Sequence, residues 1–272
     1  MSTDLIATAF LAACRAELEA LKPGNVHVHG GGHGMSVEDF EASAAAAAPH
    51  IAKRGAGIGA RILGAVEATW EAVGQNTNLG IILLAAPLAA GAERANGAGL
   101  RASLQSVLAG LTREDAALCF RAISLANPGG LGNFGDHDVR EPARISLLEA
   151  MRLAADRDRI ASQYASGYAD IFDLGIPAAQ EAASPAEAAA QAYWRFFTTI
   201  PDSHIARKFG EAKAKAVHKL AREIDKTLAK TADGRARTLI LLKLDARLKA
   251  EGLNPGTSAD LTVATLFARS LL

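Results

Sequence analysis

The chain has 272 residues, 50% hydrophobic and 5% aromatic, a length that can bury a large core. Lys plus Arg and Asp plus Glu are both 29, and this zero net charge argues against a general nucleic-acid or membrane-surface binder. Two cysteines without metal-type spacing, Cys14 and Cys119, and an N-terminus with no basic signal-like region, predict a reduced, cytoplasmic protein.

Helical periodicity runs along nearly the whole chain and strand alternation is almost absent. Ile6, Phe10, Cys14, Leu18 and Leu21 form one stripe, which should stop at Lys22-Pro23-Gly24. Ser36 with Asp39 reads as a capping box for a second helix, and Ile58, Ile62, Val66, Trp70 and Val73 mark a third. The helix from Asn78 is apolar on nearly every side and should sit at the centre, kinked at Pro87. The stretch Gly91 to Gly99 is the expected mobile connection. Further capping boxes are read at Thr112 with Asp115, Ser146 with Glu149, Ser184 with Glu187 and Thr257 with Asp260. The stripe Ile205, Phe209, Ala212, Ala216, Leu220 predicts one long helix after Pro201, and Leu239, Leu242 and Leu248 another. Together these predict an all-α fold: a single globular multi-helix bundle over residues 1–272, with a central buried helix.

Clusters of Gly, Asn and Pro interrupt this helical text. Three carry one turn: Lys22-Pro23-Gly24-Asn25, Asn127-Pro128-Gly129-Gly130 and Asn254-Pro255-Gly256-Thr257. Pro then Gly suits a type II turn, and such turns leave N–H groups beside a helix start, where phosphate binds. Asn76, Thr77 and Asn78 stand in a row at the head of the central helix, more polarity than a cap needs, and suit a ligand phosphate or ribose. His27, His29 and His33 match no fixed metal signature; His27 is a candidate hydrogen-bond partner of substrate. Lys208, Lys215, Lys219, Arg222 and Lys226 form a stripe whose ordinary meaning is a solvated face.

The helix opening at Ser146 carries the candidate chemistry. At about 100° per residue, Leu147, Met151, Ala154, Ala161 and Ala165 share an apolar arc, with Asp158 near its middle. A carboxylate there needs a partner, a metal or a shifted pKa, so Asp158 is either a functional group or half of a structural pair with an arginine.

Read in order, KPGNVH, NTNLG, NPGG, AADRDRIASQY and NPGTSADLTVA resemble the triphosphoribosyl-dephospho-CoA synthase family over nearly the whole chain. The resemblance implies an all-helical pentosyltransferase of coenzyme biosynthesis. Such an enzyme takes ATP and 3′-dephospho-CoA, releases adenine and joins the triphosphoribosyl group to a ribose hydroxyl. Lys22, Pro23 and Gly24 match the family's KPG, Asn76 and Thr77 the start of its NTHKG, and Gly256, Ser258, Ala259 and Asp260 its PGGSAD. Asp156-Arg157-Asp158 stands where many members have Asp-Thr-Asn. Asn78-Leu79-Gly80 replaces His-Lys-Gly, which marks a divergent branch. The missing lysine leaves phosphoribosyl pyrophosphate as an alternative donor, for a ribosyl ether in another coenzyme such as a one-carbon pterin. A hydrolase of the same bond and a non-catalytic nucleotide-binding helical protein are the other readings.

The reaction class sets the expected roles. Asp158 is the expected base, with Asp156 and Asp260 the other carboxylate candidates, and Mg²⁺ is expected on Asp156 and Asp158. Lys22 and the N–H groups after Gly24 are expected to hold phosphate. Asn25, His27, Asn76, Thr77, Asn78, Asn254, Gly256, Thr257 and Ser258 complete the expected substrate-binding set. KPGN, NTN, the Asp156–Asp158 turn and NPGTSAD should then line one cleft. The expected partners are a nucleotide or phosphoribosyl donor and a coenzyme-like acceptor, with neither nucleic acid nor membrane; the assembly state stays open.

Overall fold

The computed structural model describes residues 1–95, 97, 99–129 and 139–272, and all regular structure among them is helical. Isolated bridges, His27 to Gly30 and Gly32 to Met35, are the sole β-type pairings of these residues. α1 (Thr3–Glu19) is capped by Ser2 and buries Ile6, Phe10, Cys14 and Leu18, the predicted stripe, before the chain turns at Lys22-Pro23-Gly24. α2 (Val37–Ile51) and α6 (Arg113–Ala126) open on the expected capping boxes, as does α7 (Leu147–Ala154). α3 (Ile58–Val73) ends at Gly74 in the left-handed region, the usual helix stop. α5 (Leu100–Ala109), α8 (Arg159–Ser166), a π-helical turn (Ile171–Gly175), α9 (Ile176–Ala178) and α10 (Pro185–Thr199) follow, then α11 (Ser203–Phe209), α12 (Glu211–Ala229), α13 (Gly234–Ala250) and α14 (Gly256–Ser270).

α4 (Leu79–Arg94) is the expected central helix: every residue from Ile81 to Ala92 is buried, because it has no polar face to present. α14 shares the centre, packed against α1, α4 and α10, with Phe267 edge-on to Phe10 at 5.8 Å between ring centroids. Its hydroxyls hide this role in the sequence. Thr262 and Thr265 donate back to the carbonyls of Ser258 and Leu261 four residues earlier, so they enter the core satisfied. A smaller apolar cluster, including Tyr193, Phe197, Ile205, Val217, Leu244 and Leu248, joins α10 to α11, α12 and α13. No helix among the described residues is long and apolar enough to cross a membrane.

Five local expectations fail, each for a stated reason. Ser184 and Glu187 form only half a capping box: Ser184 Oγ accepts Glu187 N–H, but the Glu187 carboxylate accepts the N–H of Ala183 instead of that of Ser184. The helix opening at Ser146 does not run on through Asp158: it stops at Ala154, and Asp158 instead accepts the N–H groups of Ile160 and Ala161 as the N-cap of α8. The helix after Pro201 breaks at Gly210 (φ 89°), which ends α11 and starts α12. Thr257 and Asp260 form no capping box, because α14 already begins at Gly256 and Thr257 lies inside it. The Gly91 to Gly99 connection is helical through Arg94, and Asn96 and Ala98 lie outside the described residues.

Candidate active site

One cleft of about 1010 Å³ opens between the head of α4, the first turns of α14, the α7–α8 junction, and α11 with the start of α12. Four distant segments meet in it: Asn25; Asn76 and Thr77; Asp156 and Asp158; and Asn254, Gly256, Thr257 and Asp260. Asn127, Pro128 and Gly129 reach it as well, while Gly130 of that turn lies outside the described residues. Lys22, Gly24, His27, Asn78 and Ser258 are buried or turned behind the wall instead.

The first turn is of type II, as its sequence predicts: Asn25 N–H donates to Lys22 O and Gly24 sits at φ 87°. Its N–H groups are not available to phosphate, which corrects the expectation. Gly24 donates to Asp245 Oδ1 at 2.8 Å, and a Cβ on Gly24 would lie 2.8 Å from Pro255 Cδ. The 254–257 turn is of another kind. Gly256 N–H reaches back two residues to Asn254 O, and Pro255 (φ −74°, ψ 59°) is an inverse γ-turn at the N-cap of α14.

Lys22 works from behind the cleft. Its ammonium is fully buried and gives all three protons away: to Glu17, to Asn25 Oδ1 at 2.9 Å and to Val26 O at 2.8 Å. No proton is left for a phosphate, but Glu17 and Asn25 both face the cleft and are fixed by it. Asn25 then passes a hydrogen bond to Asn254 Oδ1 at 2.8 Å, tying the first segment to the last. His27 is likewise structural. It lies 3.3 Å from Asp245 and 3.4 Å from Lys249 Nζ, and burial, the largest cause, lowers its pKa against the opposing pull of Asp245. His33 goes elsewhere, to Gly24 O, so the three histidines do not converge.

The polar row at the head of α4 is divided. Asn76 Oδ1 accepts Leu79 N–H and Thr77 donates to Ser43 Oγ, while Asn78, turned inward, donates to Thr69. Ser258 gives both its N–H and its hydroxyl to Asp202 Oδ2; Asp202 also caps α11 through Oδ1 and is satisfied four times over.

Around Asp158 the cleft carries a charged wall. Asp158 Oδ2 pairs with Arg207 at 3.1 Å, and both side chains are half-exposed. Arg207 also donates to Gly129 O. Arg159 forks onto the buried Asp170 at 2.6 and 2.7 Å, a bidentate pair that ties the start of α8 to the segment just after it. His204, one turn before Arg207, is pushed down to about 4, first by burial and then by the charges of Arg207 and Lys208. Lys215 lines the same side, so the α11–α12 part of the basic stripe is not wholly a solvated face.

Asp260 projects from α14 onto the backbone of Gly80. A Cβ on Gly80 would fall inside the Asp260 carboxylate, so the glycine is what lets the two helices meet there. No donor among the described residues bonds this carboxylate. Burial, then the negative charges of Asp202 and Glu17, push it well above the usual carboxylate range.

For Mg²⁺, no three His, Cys, Asp or Glu residues form a cluster among the described ones. Asp156, exposed at the cleft edge, fits an ion held chiefly by phosphate oxygens with one or two carboxylates. Asp158 has one oxygen committed to its cap and the other to Arg207, and fits that role less well.

Glu17, His204, Arg207 and the Gly80–Asp260 contact were not singled out from sequence. Only Pro201-Asp202, a helix-start signal, could have flagged the His204–Arg207 turn.

The family model described as ATP:dephospho-CoA triphosphoribosyl transferase matches residues 3–272. The fold resembles the crystal structure of a protein from Archaeoglobus fulgidus assigned as a triphosphoribosyl-dephospho-CoA synthase. The two share 25% identity and a TM-score of 0.66, over 84% of this chain and 96% of that one. No curated protein matches the chain.

Proposed function

The chain belongs to the ATP:dephospho-CoA triphosphoribosyl transferase family, and from that premise we propose that the cleft described above is its active site. The protein is a transferase of coenzyme biosynthesis that moves the triphosphoribosyl group of ATP onto dephospho-CoA. ATP less that group is adenine, so the bond broken joins ribose C1 to the base.

The observation that carries the assignment is the meeting of Asn25, Asn76, Asp158 and Asp260 in one cleft, although 235 positions separate the first and last. The triphosphate lies towards Arg207 and Lys215, the cationic side of the cleft. Leu79, Ile81, Phe120 and Met151 give the cleft an apolar surface that suits a purine. The polar residues of the α4 head and of 254–257 hold the two riboses. Mg²⁺ on Asp156 would neutralise phosphate charge when bound. Asp158, which lines the cleft, takes the proton of the acceptor hydroxyl at Oδ2, the oxygen that also accepts from Arg207. The two buried, unbridged thiols accord with a reducing compartment, and we place the enzyme in the cytoplasm.

The test is product analysis. Purified protein with ATP, Mg²⁺ and dephospho-CoA should release adenine in step with a product whose mass equals acceptor plus triphosphoribosyl. Omitting the acceptor should leave little turnover. Adenine release that ignores the acceptor would instead identify a hydrolase.

A further inference from the structure

We propose that Asp260 is the general acid of the transfer, handing its proton to the departing adenine. This rests on the cleft being the active site.

The geometry is unusual for a structural aspartate. Most buried carboxylates pair with a cation or accept several N–H groups, as Asp170 and Asp202 do in this protein. Asp260, partly exposed to the cleft that it lines, does neither. The charged groups around it are Glu17 of α1, Lys22 in the turn that follows α1, Asp158 at the head of α8, and Asp202 and Arg207 at the start and end of α11. Three of the five are acidic, Lys22 is already engaged by Glu17, Asn25 and Val26, and Arg207 by Asp158 and Gly129. A further negative charge in this company would be repelled, which favours the protonated carboxyl. A neutral carboxyl without an acceptor in the protein has an O–H to offer to whatever occupies the cleft. Its place is held by contact alone, against the bare backbone of Gly80.

The reaction needs such a group. As the C1–N bond breaks, its electron pair goes to adenine, a poor leaving group as an anion. A proton from Asp260 to a ring nitrogen lets adenine depart neutral. The acceptor hydroxyl bonds to C1 and loses its proton to Asp158. One proton enters the leaving group and one leaves the nucleophile, so atoms and charge balance. Proton return from Asp158 to Asp260 through solvent resets the site. Two carboxyls in contrasting surroundings, one paired with arginine and one unpaired among acids, thus divide the acid and base roles.

The decisive experiment varies the leaving group. Asp260→Asn and wild type are compared on ATP and on its N7-methylated analogue, whose base departs neutral without gaining a proton. Acceptor-dependent product is read by mass. With ATP the variant should lose about 10²- to 10⁴-fold in turnover. With the methylated donor it should stay within a few-fold of wild type. An equal loss on both donors, in protein that melts as wild type does, overturns the acid role. Retained turnover of ATP also overturns it. Asp260→Ala provides the same comparison if the asparagine variant folds poorly. Failure of the active-site reading looks different: Asp158→Asn and Asp260→Asn would then both leave ATP turnover intact.

Discussion

The phenol of Tyr164 donates to the carbonyl of Leu83 at 2.6 Å, and Leu83 is the residue whose helical partner Pro87 removes. A proline in a helix interior leaves the carbonyl four residues earlier without its N–H. In the centre of the protein that oxygen cannot reach water, so α8 supplies a donor. Tyr168, just beyond α8, donates to the next carbonyl, Leu84 O, at 3.1 Å. Tyr164→Phe should therefore lower stability by about 1–3 kcal/mol, the range for an orphaned buried acceptor. Chemical denaturation measures it, and an unchanged midpoint would show that the carbonyl finds another donor.

Asp158→Asn separates chemistry from capping. Asparagine caps a helix about as well as aspartate, and the half-exposed pair with Arg207 is worth at most about 1 kcal/mol. The melting temperature should move little while turnover falls by about two or more orders of magnitude. Lost stability with normal turnover per folded molecule would assign Asp158 to structure alone.

Lys22→Met should cost about 3–5 kcal/mol, because Glu17 would be left buried and unpaired. Adding Glu17→Gln should restore part of the loss. Urea midpoints of the single and double variants decide the point, and equal midpoints would show that Lys22 does not act through Glu17.

Gly80→Ala tests the contact with Asp260. The new methyl must displace the carboxylate. Overpacking of this kind costs about 1–3 kcal/mol. Activity should fall further than stability, by at least about tenfold, and a fully active, stable variant would show that Asp260 has room to move. The effect is read from turnover per folded molecule alongside a thermal melt.

His204 gives a pH dependence. Its pKa falls from 6.5 in the unfolded chain to about 4 in the folded one. Between these values the unfolded state binds the proton and the folded state refuses it. The contribution of neutral His204 is thus complete above pH 6.5 and is lost as the pH falls towards 4, by roughly 3 kcal/mol. Asp202 and Asp260, raised by burial, act in the opposite sense as the pH climbs from the carboxylate range. Comparison of His204→Asn with wild type at pH 7 and pH 4.5 isolates the histidine. The variant should lose less stability on acidification, and parallel losses would refute the assignment.

What the sequence made legible follows from the range of the interactions. Apolar stripes and three of the capping boxes are local, and α1, α2, α4, α6 and the start of α7 read correctly from them. Helix breaks were harder, since the apolar arc continues across residues 155–158 and the cap signal of Asp158 competes with it. The loops that meet in the cleft were legible as motifs, but the duties of their residues were not. His27 is defined by Asp245 and Lys249, more than 200 positions away, and Lys22 by a glutamate on the far side of a helix end. The part of Gly80 depends on Asp260, 180 positions later, which no local pattern announces.

α14 has a consequence for biosynthesis. A nascent chain that has emerged only as far as α13 already carries α1, α4 and α10, with the apolar surfaces that α14 covers still bare. The core and the acid-bearing wall of the cleft are completed by the same late event. A chain truncated near residue 250 should be loosely packed and protease-sensitive, and catalytic competence should arrive in one step with Gly256–Ser270.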